Sequence, residues 1–152
     1  MDAAIQGMES AANFYARDLE ALSDAQILES FAGAARLPLD FTYEVAFINR
    51  QVAARLRGEE PPASPDGDEW MTAPDELRSK AAIAEYMASA CSEVLSAAKA
   101  VPEEEIGKMI GSPGRERPAY ALVSFAAMHT MYHDAQLNYV QSLAGDTTMH
   151  WF

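Results

Sequence analysis

Cysteine and long apolar runs are scarce in this sequence. Cys91 is the one cysteine, so no disulfide can form within the chain. The N-terminal residues lack a basic stretch followed by an apolar one, which is the pattern of a secretion signal. No apolar run approaches the roughly 18 residues that cross a bilayer. We therefore expect a cytoplasmic protein in a reducing environment, with no membrane partner.

Basic residues are also few. The chain has 11 lysine and arginine residues against 23 aspartate and glutamate residues, and its formal net charge is -12. The basic residues are scattered, and Arg50, Arg55 and Arg57 form the only local cluster. A phosphate backbone would be repelled by this charge and would release few counterions on binding. We therefore predict no nucleic-acid partner.

The residues that are abundant suit one folded domain. Hydrophobic residues make up 49% of the 152 residues and charged residues 22%, which excludes a disordered or fibrous chain. This length can enclose a real hydrophobic core. We predict a single domain over residues 1–152.

Apolar residues recur at spacings of three and four, which predicts helices. The predicted helices cover about residues 2–22, 38–57, 73–100 and 118–143. Thr72 is the candidate N-cap of the third helix. Ser23 and Gln26 have the spacing of a capping box, which predicts a short extra helix through Phe31. No segment alternates as a strand would, so the predicted class is all-α.

Two features indicate how these helices are arranged. Residues 59–71, rich in proline, glycine and acid, predict a long connection between helices two and three. Such a crossover fits a bundle that is not simply up-down-up-down. The fourth helix is apolar on two sides, because Met128, Met131, Tyr132 and Tyr139 lie outside its main stripe. We expect it to be the most buried helix, with more apolar surface than one stripe requires.

His129 and His133 lie four residues apart on the fourth predicted helix. This spacing places both imidazoles on one face, near enough to share an ion. Imidazole suits zinc, nickel, iron and copper, so the spacing does not select a metal. The residues between them do not form an HExxH motif, which excludes that metalloprotease pattern. Two buried histidines that hydrogen-bond to neighbours would have the same spacing.

Two segments resemble the DinB/YfiT-like family. HTMYHDAQLNYVQSLAGD, residues 129–146, is similar to the family's last helix, where two histidines four apart precede a small residue and Gln-Leu. TYEVAFINRQVAARLRGE, residues 42–59, is similar to its second helix. The resemblance implies a four-helix bundle, often dimeric, that commonly holds a divalent metal through three histidines. It also implies relatives that include thiol-dependent transferases and a metal-dependent hydrolase.

This sequence departs from the family at one expected ligand. The second helix contains no histidine, and Glu44, counted back from Gly58, lies about where the family histidine would be. The resemblance therefore implies a site of Glu44, His129 and His133 for zinc, nickel or iron. Two histidines and one carboxylate leave open positions for water or substrate. The alternative is a surface Glu44, or one paired with Arg50 or another nearby arginine.

Other residues have less specific signals. Several polar side chains could replace the missing histidine or assist the other two: Tyr43, Asn49, Tyr132, Asp134 and Gln136. We expect His150 to lie in a frayed terminus and Cys91 to serve in packing.

Two functions remain open. The first is a metal-dependent enzyme of hydrolase or thiol-dependent transferase type, with a small-molecule or thiol substrate. The second is a non-catalytic binding or scaffold bundle with a degenerate metal site. A pocket beside the histidines would favour the first, and a core filled there by Phe47 or Tyr43 would favour the second. For both, we predict a homodimer.

Overall fold

The computed structural model describes residues 1–64, 70–112 and 114–152. Five α-helices form most of this part of the chain: α1 (Asp2–Ala21), α2 (Asp24–Ile27), α3 (Pro38–Arg57), α4 (Lys80–Lys99) and α5 (Ala119–Leu143). Short 3-10 turns cover Asp75–Leu77 and Glu103–Glu105. Two strands, β1 (Met109–Ile110) and β2 (Arg117–Pro118), pair antiparallel just before α5. The predicted all-α bundle is confirmed, with this small hairpin as an addition.

The four long helices pack around one core. α1 packs mainly against α5, and α3 packs against both α4 and α5. Tyr15 lies fully buried in this core, where its hydroxyl forms a 2.8 Å hydrogen bond with the hydroxyl of Thr42. Burial raises the pKa of Tyr15 above its usual range, so its phenol stays neutral. The contact joins α1 to α3 deep inside the bundle.

The ends of α3 agree with the sequence. Pro38 occupies the first turn, where its missing N–H has no helical partner to lose. Gly58 ends the helix with φ of 72°, a left-handed conformation that favours glycine. These two residues set the length and position of the helix that carries Glu44.

The predicted starts and ends of two other helices are wrong. The capping box of Ser23 and Gln26 is present, but α2 ends at Ile27 and does not reach Phe31. α4 begins at Lys80, and its N-cap is Ser79, whose side chain accepts a hydrogen bond from the backbone N–H of Ala82.

The chain before α4 is attached to α3 and is not part of α4. The backbone N–H of Ala73 donates to Asp40 Oδ1 at 2.9 Å, and Ala73 is buried. Pro74 also disfavours a helical conformation in the residue before it. Of the predicted 59–71 connection, residues 65–69 lie outside the described residues.

α5 is not the most buried helix, which its composition suggested, because 10 of its 25 residues are buried against 12 of 20 in α3. Four of its large side chains are between 51% and 66% exposed, and we call them the α5 outer face: Met128, Tyr132, Tyr139 and Leu143. The helix packs against α1 and α3 with its other sides, so this face lies outside the core.

Among the described residues, no helix is both long and apolar enough to cross a membrane.

Candidate metal centre

The three predicted site residues meet where α3 packs against α5. Glu44 lies beside the buried stripe of α3, and its side chain is 23% exposed. His129 and His133 lie one turn apart on α5 with side chains 16% and 4% exposed. The site is therefore sheltered from bulk water but remains open on the Glu44 side.

The donor atoms of these residues converge. Glu44 Oε1 lies 3.5 Å from His129 Nε2 and 3.6 Å from His133 Nε2. All three ligand atoms lie within 4.8 Å of one another. Donors held about 2.1 Å from a tetrahedral zinc ion are separated by about 3.4 Å, so the two carboxylate–imidazole distances already suit one shared ion.

A neighbouring amide sets the tautomer of His133. His133 Nδ1 lies 2.7 Å from Gln136 Oε1, and an amide oxygen can only accept a hydrogen bond. Nδ1 therefore carries a proton, and Nε2 faces Glu44. A hydrogen bond of this kind orients a metal-binding imidazole and increases its basicity.

Aromatic rings support both imidazoles. The ring of Phe41 stacks against His133 with centroids 5.6 Å apart, and that of Phe125 stacks against His129 at 5.9 Å. The edge of Tyr132 contacts His133 at a centroid distance of 4.9 Å. These contacts restrict ring rotation and leave Nε2 as the polar atom of each imidazole that faces the carboxylate.

Arg36 is a site residue that sequence reasoning missed. Its Nη1 forms an ion pair with Glu44 Oε2, and its Nη2 donates to the carbonyl oxygen of Met71 at 3.2 Å. The guanidinium also lies 5.0 Å from the ring centroid of Trp70. Arg36 precedes α3 in a non-helical segment, so no helical spacing relates it to Glu44. Tertiary contacts alone bring the two together.

The charged contacts keep Glu44 ionised. Contacts with the imidazoles of His129 and His133, and then with the guanidinium of Arg36, hold the pKa of the Glu44 carboxyl well below its usual range. Arg50, the arginine considered from the sequence, pairs instead with Glu93 at 3.0 Å. The two oxygens of Glu44 therefore have different partners. Oε2 contacts the guanidinium of Arg36, and Oε1 lies near the two imidazoles.

A cavity of about 330 Å³ opens beside the site. Trp70 and Tyr132, which line it, are 67% and 63% exposed. Tyr43 and Phe47 do not line this cavity. Their ring centroids lie 6.3 Å apart, and the ring of Tyr43 stacks against that of Tyr86. A small molecule can therefore reach the three donor groups.

The remaining candidates lie elsewhere. Asn49 donates to the sulfur of Cys91 at 3.7 Å, and both side chains are buried. Burial raises the pKa of the Cys91 thiol to about 12, which suits a packing role and leaves little nucleophilic thiolate. Asp134 is fully buried and interacts with Asp18 of α1, so it is not beside the imidazole nitrogens.

The expected frayed terminus is wrong. His150 contacts Asp146 at 2.9 Å. The ring of Trp151 stacks on Phe14 with centroids 4.7 Å apart, and its indole N–H donates to Asp18 at 2.7 Å, so Trp151 is packed onto α1. The aromatic residues of the terminal MHWF segment were the sequence feature that could have indicated this packing. An indole that packs against a protein needs a hydrogen-bond acceptor for its N–H.

The donor set fits a divalent ion chemically. Two neutral imidazoles and one carboxylate match the ligand preferences of zinc, nickel and iron, and Arg36 balances the carboxylate charge. The fold and the site together define a helical bundle with a candidate two-histidine, one-carboxylate metal centre between α3 and α5. The family model of the DinB superfamily matches residues 8–137, and this chain belongs to that superfamily.

A solved structure has the same fold. It is the crystal structure of a conserved protein from Enterococcus faecalis, with a TM-score of 0.73 and 14% sequence identity. The match covers 93% of this chain and 95% of that chain. At this identity the likeness concerns the fold alone. No curated protein matches the chain.

Proposed function

We propose that this protein is a metal-dependent enzyme of the DinB superfamily, of hydrolase or thiol-dependent transferase type. The proposed metal is a divalent zinc, nickel or iron ion, and the substrate is a small molecule or a thiol. One observation supports this proposal above the others. Glu44 Oε1 and the Nε2 atoms of His129 and His133 converge beside a cavity that the described residues leave open.

The protein side chains have separate tasks in this proposal. Glu44, His129 and His133 would hold the ion, which when bound supplies Lewis-acid chemistry to a coordinated substrate or water. Gln136 accepts a hydrogen bond from Nδ1 of His133, so Nε2 would be the atom that binds the ion. Arg36 orients Glu44 by binding the oxygen that faces away from the imidazoles.

The surrounding rings control access to the site. Phe41 and Phe125 cover faces of the two imidazoles and exclude water there. Tyr132 lines the cavity and is largely exposed, which places its hydroxyl in a position to contact a bound substrate. Asp134 is not a helper in this proposal, because it is buried beside Asp18.

A non-catalytic scaffold is the second candidate, and Arg36 favours it. The Arg36–Glu44 ion pair already compensates the carboxylate charge, so the site is stable without an ion. In that case the three donor groups would be a remnant of a metal site. Metal content separates the two candidates.

Metal analysis and calorimetric zinc titration test the proposed enzyme. We expect about one ion per wild-type chain, and Glu44→Ala and His133→Ala should each weaken zinc affinity by at least 10-fold to 100-fold. Each variant removes one of three protein ligands. Glu93→Ala is the matched control, because it removes another glutamate that pairs with an arginine. His150→Ala is the control for loss of a histidine.

The possible results distinguish the hypotheses. Wild-type protein without metal and without measurable zinc binding would support the scaffold. Zinc binding that is unchanged in Glu44→Ala but lost in His133→Ala would remove Glu44 from the ligand set.

We also propose that the protein is a homodimer formed through the α5 outer face. The only Asp, Glu, Lys or Arg residue in α5 is Asp134, which is fully buried. The exposed surface of this helix therefore carries no acidic or basic charge, although the whole chain has a net charge of -12. Two acidic copies would approach with the least repulsion through this apolar surface. A two-fold axis would place the same face on both partners.

A further inference from the structure

A second cleft lies beside the hairpin, farther along the contact between α3 and α5. It has a volume of about 510 Å³. Three arginines and four apolar residues characterise its lining: Arg55, Arg115, Arg117, Val52, Ile110, Leu122 and Phe125. We call it the arginine cleft. Three guanidinium groups therefore line one cleft together with apolar surface.

The arginines of this cleft lack acidic partners. Acidic residues outnumber basic ones by 23 to 11 in the chain. Arg36, Arg50 and Arg57 all form ion pairs with glutamates. Within residues 1–64, 70–112 and 114–152, the side chains of the arginine cleft form no such ion pair. The three guanidinium groups that line this cleft are therefore available to an anionic ligand.

Helix stabilisation explains only one of these charges. Arg55 lies in the last turn of α3, where a cation interacts favourably with the helix dipole. Arg115 and Arg117 lie in the hairpin segment, and both are exposed. Neither the helix dipole nor an ion pair among the described residues accounts for their charges. An anionic ligand would give both guanidinium groups a partner.

The backbone holds the hairpin arginines near the cleft. Arg117 pairs with Ile110 in the β1–β2 ladder. Gly111 has φ of 137°, and a Cβ there would lie 3.0 Å from the carbonyl oxygen of Arg115. This close approach requires glycine, so the position of Arg115 depends on a tight backbone contact.

The arginine cleft is adjacent to the candidate metal centre. Phe125 lines the cleft, and its ring stacks against His129 at 5.9 Å. On α3, Ile48 lines the metal-site cavity, and Val52, one turn later, lines the arginine cleft. Leu122 lies seven residues before His129 on α5, a rise of about 10 Å. One small molecule of ordinary size can therefore span both sites.

We propose that the arginine cleft binds the carboxylate or phosphate group of a small molecule. The planar guanidinium group binds these anions through paired hydrogen bonds. The apolar part of the molecule lies against Leu122 and Phe125, and its other end points towards His129. Only this last orientation rests on the proposed function, because anion binding needs no metal. A cleft of this size takes a small molecule, and the net charge of -12 repels a nucleic acid.

NMR titration of the full chain tests the cleft directly. The probes are inorganic phosphate, phenyl phosphate and benzoate, each at low ionic strength against a sodium chloride control. We expect saturable shifts in residues 110–112, 115–117 and 122–125. Phenyl phosphate should bind at least tenfold more tightly than inorganic phosphate, because its ring buries apolar surface. Comparison with benzoate shows whether phosphate or carboxylate is preferred.

Arginine variants supply the decisive comparison. The double variant Arg115→Gln/Arg117→Gln should lose at least tenfold in affinity for phenyl phosphate. Arg57→Gln is the matched control and should bind normally, because that arginine belongs to an exposed pair with Glu59. Circular dichroism checks that the variants are folded, and Arg55→Gln tests the cleft without a change in the hairpin. No saturable binding of any probe, or equal affinity in the double variant, would overturn the proposal.

Two further measurements separate this proposal from the metal site. Glu44→Ala should still bind phenyl phosphate, even if it loses zinc. Phenyl phosphate, but not inorganic phosphate, should shift the ring resonances of His129. Binding without any change at His129 would refute the orientation towards the metal centre.

Discussion

At the scale of single residues, Asp134 has the least favourable environment for a charge. It lies fully buried beside Asp18. Asp18 accepts hydrogen bonds from Asn138 and Trp151, each at 2.7 Å. Burial and the negative charge of Asp18 together raise the pKa of Asp134 to about 8.

This pKa predicts how stability depends on pH. The folded protein binds the Asp134 proton more tightly than the unfolded chain, whose pKa is about 3.9. The contribution of Asp134 to stability is therefore complete below about pH 4 and declines as the pH rises towards 8. Asp134→Asn removes the decline. The free energy of unfolding of the variant, relative to that of wild type, should therefore rise by on the order of 2 kcal/mol from pH 5 to pH 9.

Urea unfolding at several pH values measures this difference. Glu44 has a lowered pKa, so its contribution is present above the unfolded value and is lost as the pH falls further. This contribution of Glu44 to stability is the same in wild type and in Asp134→Asn, so it cancels when the two proteins are compared. Asp24→Asn, at an exposed position, should show no such gain. A stability difference that does not change with pH would contradict the raised pKa.

At the scale of elements, the start of α4 illustrates a choice between two capping residues. Thr72 fits the sequence pattern, but Ser79 makes the cap, because the chain between them is attached to α3 through Asp40. The helix is therefore seven residues shorter at its N-terminus than the apolar pattern suggested. Its interior is unaffected, because the apolar residues spaced three and four apart along it are buried: Ile83, Met87, Ala90, Val94 and Ala97.

Ser79→Ala should lower the free energy of unfolding by about 1 kcal/mol, because the N–H of Ala82 loses its acceptor. Ser92→Ala makes the same chemical change at an exposed position within α4. It should leave stability unchanged or raise it slightly, because alanine has the higher helix propensity. Thermal or urea denaturation of both variants gives the comparison. Equal effects at the two positions would show that the cap does not stabilise α4.

At the scale of the whole molecule, the α5 outer face predicts the effect of charge on assembly. Light scattering at micromolar concentration should give twice the chain mass for wild type. Met128→Glu/Tyr139→Glu should give the monomer mass, because a dimer would bury four added carboxylates. Tyr132 is left unchanged, since it also lines the metal-site cavity.

Leu28→Glu is the control for this experiment. Leu28 is 42% exposed but follows α2, outside the proposed interface. This variant should remain dimeric. A wild-type monomer at every accessible concentration would refute the homodimer.

The sequence by itself determined the helical class, the bounds of α3 and the side-by-side placement of His129 and His133. These features depend on local periodicity, capping and the fixed rise of a helix. The family resemblance drew attention to Glu44. Neither local pattern nor resemblance indicated Arg36, because its contact with Glu44 joins a non-helical segment to a helix face.

Only the tertiary structure decided which apolar and charged residues face each other. It buried one side of α5 and left the other exposed, although both are apolar in sequence. It also brought Arg55 together with Arg115 and Arg117, which are about sixty residues away in the sequence. The physical reason is that helix periodicity specifies directions around one axis, whereas packing selects the neighbour in each direction.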